Sequence, residues 1–274
     1  VAKSSRKSIP IILLLFLFIA AVVILFGFFD ITSGKQDYVY AKVKISQGLW
    51  WSNTKRPNYW FIENLKAGDK EVGTANRPVA ELIDFTYYPY ISAAADTLLN
   101  SETSYNVYLH LKLAVKKTSK AITFKREKIA VGSPIELEFP AVHITGTVME
   151  LANGPIKDEY VEKTIYLTGK NAFYWEYDSI KIGDSYFDGH REVFKVLSKQ
   201  AIDTKVIDTD IYGNSTINDI ERRKYVTVKA LVTLKKVKGD KLFFGEEQEM
   251  QVGTPFNLVT ANHNYSFLTI SKIE

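Results

Sequence analysis

Two stretches of this chain read as copies of one another, so any fold it adopts must build the same unit twice. Tyr59-Trp60 followed by Leu65-Lys66-Ala67-Gly68-Asp69 corresponds without a gap to Tyr174-Trp175 followed by Ile180-Lys181-Ile182-Gly183-Asp184, at an offset of 115 residues. Farther on, Val131-Gly132-Ser133-Pro134-Ile135-Glu136-Leu137 corresponds to Val252-Gly253-Thr254-Pro255-Phe256-Asn257-Leu258, at an offset of 121. Gly-Asp after a strand supplies a turn, because glycine reaches positive φ cheaply and aspartate bonds nearby backbone. Gly-Ser/Thr-Pro closes one strand and opens the next, since proline cannot donate to a ladder.

Between these motifs the apolar residues alternate. Val107, Leu109, Leu111, Leu113 and Val115 share one face, and Tyr108, His110, Lys112, Ala114 and Lys116 the other. Val226, Val228, Ala230, Val232 and Leu234 repeat the scheme. Such alternation marks half-buried antiparallel strands. Each copy ends in a further strand-like segment, residues 142–151 and 265–273, and Ala152-Asn153-Gly154-Pro155 reads as a linker between the copies. Helical pattern is scarce: residues 92–100 could make a short amphipathic helix, and residues 218–223 a turn. The expectation is a mainly β chain whose residues 38–152 and 156–274 form two tandem small β-barrel or β-sandwich domains. Trp60 and Trp175, present in both copies, are expected in the two cores, given the area an indole buries.

Residues 9–29 form an unbroken apolar run of 21 residues with Pro10 and Gly27 as the possible breakers. As a helix rising about 1.5 Å per residue it matches the hydrocarbon thickness of a bilayer. Lys3, Arg6 and Lys7 precede it, and Asp30, Lys35 and Asp37 follow. That asymmetry favours a cytoplasmic N-terminus (residues 1–8), a transmembrane helix and an exported remainder at the cytoplasmic membrane. Leu25-Phe26-Gly27-Phe28-Phe29-Asp30 is too bulky for a signal-peptidase site, which favours an uncleaved anchor. Residues 30–37 are then a short linker; the last seven reach at most about 25 Å, so the β region stays near the bilayer.

The chemistry of a catalyst is absent from the pattern. With no cysteine among 274 residues, disulfides, thiolate metal sites and cysteine nucleophiles are excluded. His110, His143, His190 and His263 show no metal-ligand spacing, and His110 is expected to be solvated on a polar strand face. No nucleophile elbow, phosphate loop or dinucleotide fingerprint occurs, and no cofactor is expected. Residues 208–214 begin like a calcium loop, with Asp208, Asp210 and Gly213, but Tyr212 and Asp219 stand where the loop needs other ligands. A polar turn is the simpler reading. Asn214-Ser215-Thr216 and Asn264-Tyr265-Ser266 match the glycosylation acceptor pattern. The net charge of +4, of which Lys3, Arg6 and Lys7 supply +3, does not argue for nucleic acid.

Contact residues are better sought where the copies differ. Gly48-Leu49-Trp50-Trp51-Ser52-Asn53-Thr54-Lys55-Arg56 has no counterpart in the second copy. Trp50, Trp51, Lys55 and Arg56 are the candidates for contact with a headgroup layer, a glycan or a partner protein. Plugging the end of the β core is the alternative.

The order of these pieces resembles a bacterial family of membrane-anchored proteins of unknown function. The likeness lies in one N-terminal membrane helix, a β region with a Gly-Asp turn, and a closing segment running from Val252-Gly253-Thr254-Pro255-Phe256-Asn257-Leu258 through Asn264-Tyr265-Ser266-Phe267 to residues 270–273. Residues 131–137 resemble a second, diverged copy of that segment, whereas the family carries a single unit. The resemblance implies no activity and no catalytic residue. The expected role is non-catalytic: a membrane-anchored extracytoplasmic protein in cell-envelope assembly or protein–protein interaction, bound to the bilayer through residues 9–29. The alternatives are an adaptor of a transport or secretion complex, or a self-assembling filament or sheath subunit.

Overall fold

The structure, a computed structural model, describes residues 17–22, 36–45, 56–73, 76–90 and 104–274, the last with backbone only at 206–208 and 218–222. It divides into two compact units, residues 1–37 and 38–274. Of the apolar run, residues 17–22 are described and helical, with Leu17, Phe18 and Ile19 exposed. The rest of the expected transmembrane segment lies outside the described residues, among which no helix is long and apolar enough to cross a membrane.

The second unit is mainly β and consists of two curled sheets, one per sequence copy. In lobe 1 the strands are β1 (Asp37–Ile45), β2 (Lys70–Val72), β3 (Pro78–Pro89), β4 (Tyr105–Lys117), β5 (Ile122–Phe124), β6 (Glu127–Ile129), β7 (Pro134–Glu138) and β8 (His143–Ala152). They pair in the order β2-β3-β4-β1-β8-β7, with β5 and β6 continuing from β4. Lobe 2 comprises β9 (Glu159–Phe173), β10 (Ser185–Phe187), β11 (Glu192–Thr209), β12 (Ser215–Lys236), β13 (Leu242–Phe244), β14 (Gln248–Glu249) and β15 (Thr269–Ile273). Its order is β10-β11-β12-β13-β14, with β9 against β12 and β15 against β9. The counterpart of β7 shrinks to the bridge Pro255↔Thr269, equivalent to the Pro134↔Thr147 pair of lobe 1.

Equivalent backbone bonds show why the motifs recur. Gly68 N–H donates to the Leu82 carbonyl (2.7 Å) and Leu82 N–H returns to Asp69 (2.9 Å); Gly183, Val196 and Asp184 repeat this at 2.9 and 2.8 Å. Gly132 donates to Val148 as Gly253 does to Ile270, each at 2.7 Å, and the return bonds to Ser133 and Thr254 are both 2.9 Å. All four glycines have φ between +86° and +94° with open space where a Cβ would stand. Their role is therefore the left-handed backbone, not close packing.

The alternation sorts the strands as expected: Val107, Leu109, Leu111, Leu113 and Val115 lie in one core, and Val226, Val228, Ala230, Val232 and Leu234 in the other. Residues 218–223 are not a turn; they belong to the 22-residue strand β12, whose hairpin with β11 turns at Asp210–Gly213. The short amphipathic segment expected at 92–100 lies outside the described residues.

The two tryptophans correct the core expectation. Trp60 is 62% exposed and Trp175 51%. Each follows a tyrosine on a short helix, Tyr59–Ile62 in lobe 1 and Tyr174–Ser179 in lobe 2. A helix of one turn has room to bury one side only. Phe61 and Ile62 take that side in the first helix, and Ile180 tucks in behind the second. The Tyr-Trp pair is thus left outward in both lobes.

Candidate functional site

The lobes meet through polar groups on faces that alternation alone labels solvent-exposed. In β1 the alternation holds, with Ala41 and Val43 in the core of lobe 1 and Lys42 on the other face, where lobe 2 covers it. There its ammonium, 1% exposed, meets Asp158 at 2.5 Å and Glu246 at 2.9 Å; Lys235 meets the same carboxylates at 2.9 and 2.6 Å. Two cations and two anions close a neutral square. Burial raises the pKa of Asp158, but Lys42 and Lys235 more than reverse this and hold it below the carboxylate range. Burial lowers that of Lys235, and its bonds to Glu246 and Asp158 more than reverse this, leaving it raised. Lys44 also pairs with Glu247.

A second contact lies beside the square. The Tyr87 N–H donates to the Asp188 carbonyl (2.8 Å), Tyr186 donates its hydroxyl to the Tyr87 carbonyl (2.9 Å), and the Tyr88 hydroxyl donates to the Asp188 carboxylate (2.9 Å). The other Asp188 oxygen accepts from His190 N and Arg191 N, both at 2.8 Å, so this buried carboxylate is fully used. Gly189, at φ +100°, lets the turn close over the Tyr87 ring, where a Cβ would come within 2.9 Å.

Above these contacts a cleft of about 210 Å³ opens between the lobes. Tyr88, Tyr90, Tyr108 and Phe244 supply aromatic walls, and Asn106, Gln248 and Asn257 supply amides. Tyr108 is buried despite its place in the polar register, because lobe 2 covers it. Burial first, then Glu247 and Glu246, push its hydroxyl far above the usual phenol range; burial and Asp188 do the same to Tyr88. Both are neutral hydrogen-bond donors at any physiological pH. Glu246 and Glu247 line the cleft as well, and aromatic faces beside amides and carboxylates suit a flat or polyhydroxylated group better than an anion.

Arg56 is the one expected contact residue that is described. Its guanidinium lies 3.2 Å from the centre of the Tyr90 ring, and its Nε donates to Asn106 Oδ1 at 3.2 Å, so it stands at the rim of the cleft. Trp50, Trp51 and Lys55 lie outside the described residues. The structure adds Tyr59 and Trp60 to the same end of lobe 1: Tyr59 packs against Tyr105 and Tyr87, with centroids 6.1 and 6.5 Å apart, and Trp60 stands out from it. The recurring Tyr-Trp dipeptide is the sequence signal for this end, although recurrence alone points to a core position.

A cavity of about 230 Å³ in lobe 2 escaped the sequence reading. Phe173, Ile180, Val226 and Leu268 wall it, and Glu176, Arg223 and His263 reach it. Ser179 Oγ donates to the Glu176 carbonyl (2.8 Å), so the 2.7 Å contact with His263 Nδ1 makes the imidazole the donor. That is the reverse of the proton flow by which a base activates a serine. Burial lowers the His263 pKa and keeps the ring neutral. Glu176 is engaged as well, accepting from Phe173 N at 2.6 Å.

Other features noted in the sequence have local structural explanations. His110 is not simply solvated: a register shift between Leu82 and Asp84 sets Asp84 opposite it, their side chains bond, and the His110 Nε2 is buried without a hydrogen-bond partner. Asp210 accepts from Tyr212 N (2.8 Å), Asn214 N (2.9 Å) and Asn214 Nδ2 (2.9 Å), making a self-satisfied hairpin turn. Among the described residues no group of three possible metal ligands forms. In the second glycosylation-type motif Asn264 caps the 3₁₀ turn Tyr265–Phe267, accepting from Ser266 N at 3.0 Å. Comparisons with protein-family models, with curated proteins and with solved structures find no match to this chain.

Proposed function

We propose that this is a single-pass, signal-anchored protein of the cytoplasmic membrane whose two β lobes act outside it as a rigid binding module in envelope assembly, without catalysis. One observation carries the reading: 21 uninterrupted apolar residues, preceded by three cations, end eight residues before β1 begins at Asp37. The resemblance to membrane-anchored bacterial proteins supports it. Each lobe would work as a small closed β barrel around its own core. The ion square and the Asp188 contacts hold the lobes in one arrangement, which favours presenting a surface over moving between states.

The partner-binding end, in this reading, is the rim where Arg56, Tyr59 and Trp60 gather, and Trp50, Trp51 and Lys55 are assigned to the same contact from their sequence alone. Exposed aromatics beside an arginine are the residue types that dominate binding hot spots. The test is crosslinking in intact cells, followed by recovery of the full chain from membranes. Trp50→Ala/Trp51→Ala and Trp60→Ala variants should lose the crosslinked species while unfolding as the unchanged protein does. Undiminished crosslinking in all of them would reject this end as the contact.

A further inference from the structure

The net charge of +4 hides a strong local imbalance. Residues 112–128 carry seven cations (Lys112, Lys116, Lys117, Lys120, Lys125, Arg126 and Lys128) against Glu127 alone, more than the excess of the whole chain. The fold gathers them at the end of β4 and along the β5–β6 hairpin, where Lys116, Lys120, Arg126 and Lys128 are exposed. Lys125 pairs with Glu71 and Lys117 bonds the neutral Asn153, but no ion pair is described for Lys116, Lys120, Arg126 or Lys128. The matching edge of lobe 2 is built differently: Lys236 is neutralised by Asp240 (3.1 Å) and Lys241 by Glu249 (3.0 Å).

The hairpin tip adds an independent mark. Lys125 and Arg126 sit at φ +47° and +76°, where glycine or asparagine would be cheaper, and lobe 2 has Gly245 in the position of Lys125. Lobe 1 accepts left-handed strain in order to carry two cations there.

The position of this face matters as much as its charge. The Lys112 ammonium lies 4.6 Å from the centre of the Tyr38 ring, and Lys117 reaches Asn153, one residue beyond the Tyr40↔Ala152 pair. The basic end of β4 is therefore the end at which the chain enters lobe 1 from the apolar run. The aromatic rim around Tyr59 and Arg56 lies at the start of β4, the opposite end.

We infer that the face formed by Lys116, Lys120, Arg126 and Lys128 rests on anionic lipid headgroups of the bilayer that holds the anchor. The inference builds on the membrane-anchored reading above. The link of residues 31–37 reaches no more than about 25 Å, which keeps the face within range of the surface once the helix is inserted. Lipid phosphate supplies the missing counter-charge, and the opposite rim is left pointing at the envelope. The cations do not oppose export, because large domains translocate largely regardless of charge.

The test uses the full chain reconstituted in nanodiscs of phosphatidylcholine, with or without phosphatidylglycerol. Amine acylation read by mass spectrometry compares Lys116, Lys120 and Lys128 with Lys238 in lobe 2. Phosphatidylglycerol should slow acylation of the three lysines about five-fold or more relative to Lys238, and 0.5 M salt should abolish the difference. In a Lys116→Glu/Lys120→Glu variant, Lys128 should lose its protection; the salt comparison needs no variant. Equal acylation in both disc types, with the chain incorporated, overturns the lipid face and leaves the anchor standing. Failure to incorporate into any disc overturns the anchor and the inference together. Protection by added heparin but not by phosphatidylglycerol also overturns it, making a soluble polyanion the occupant.

Discussion

Lobe 1 and lobe 2 share a backbone plan and differ in what they do with their polar groups. Between the paired residues Phe124 and Glu127 the tip of lobe 1 is Lys125-Arg126, whereas between Phe244 and Gln248 the tip of lobe 2 is the one-residue-longer Gly245-Glu246-Glu247, so equivalent hairpins carry opposite charge. The acidic tip is turned toward lobe 1, where buried Glu246 meets Lys42 beside Lys235 and the more exposed Glu247 meets Lys44. The basic tip faces outward. A duplicated unit has thus kept its turns and ladders while assigning one copy to internal docking and the other to an external surface. The closing loops differ likewise. Lobe 2 buries Asp184 under Thr260, Asn262 and Tyr265, whose side chains donate to it at 2.5, 2.7 and 2.8 Å, whereas lobe 1 fills the matching loop with Phe139 and Val142.

The largest expected effect follows from that last contrast. Asp184→Ala strands three donors and should destabilise lobe 2 by about 3–5 kcal/mol, while Asp69→Ala, at the equivalent turn, should cost under about 1 kcal/mol. Urea unfolding of the two variants measures the gap; equal losses would mean that the turn, not the network, is the stabilising feature. Next comes the ion square. Lys42→Met leaves Asp158 and Glu246 sharing one ammonium and should cost about 3 kcal/mol, with Glu246→Gln in the same chain adding much less than its own separate cost.

The same square sets a pH dependence. Asp158 is held below the carboxylate range, so its contribution is complete above the ordinary aspartate pKa and is lost as pH falls through the lowered value. Hydrogen exchange at Tyr87 N, which spans the lobes, should therefore, once corrected for its intrinsic pH-dependent rate, be flat near neutrality and accelerate below about pH 4. A rise that begins near pH 6 would instead implicate histidine. The smallest effects concern single surface positions. Arg126→Gly should stabilise lobe 1 by about 0.5–1 kcal/mol through relief of the left-handed backbone. Trp175→Ala should cost less than about 1 kcal/mol, where a buried tryptophan would cost about 3–5.

Much of the fold was legible because turns and ladders are local. Gly68-Asp69 and Gly132-Ser133-Pro134 announce their backbone in composition, and the alternation from Val107 to Val115 selects the core face without knowledge of any neighbour. What lies over the second face is decided by the other lobe, and no period in β1 or β4 reports it. That is why Lys42 and Tyr108 are buried, whereas His110 meets Asp84 through a register shift between β3 and β4 inside lobe 1, which no period reports either. The tryptophans depart from expectation for a related reason: recurrence suggests a core position, whereas a one-turn helix has one inward side and Phe61 and Ile62 occupy it. Of the contact residues read from sequence, Arg56 reaches a cleft rim. The cleft itself was invisible, since it exists only between copies, and the basic face was hidden inside an unremarkable net charge.

The most direct test of the whole account is topological, and the absence of cysteine makes it clean. Ser4→Cys and Lys238→Cys, made separately in the full chain, are treated in intact cells with a membrane-impermeant maleimide. An anchored chain with exported lobes predicts that Lys238→Cys is labelled at once and Ser4→Cys only after the membrane is broken. Lys238→Cys silent until lysis, or a chain that leaves the membrane in alkaline carbonate, would contradict it.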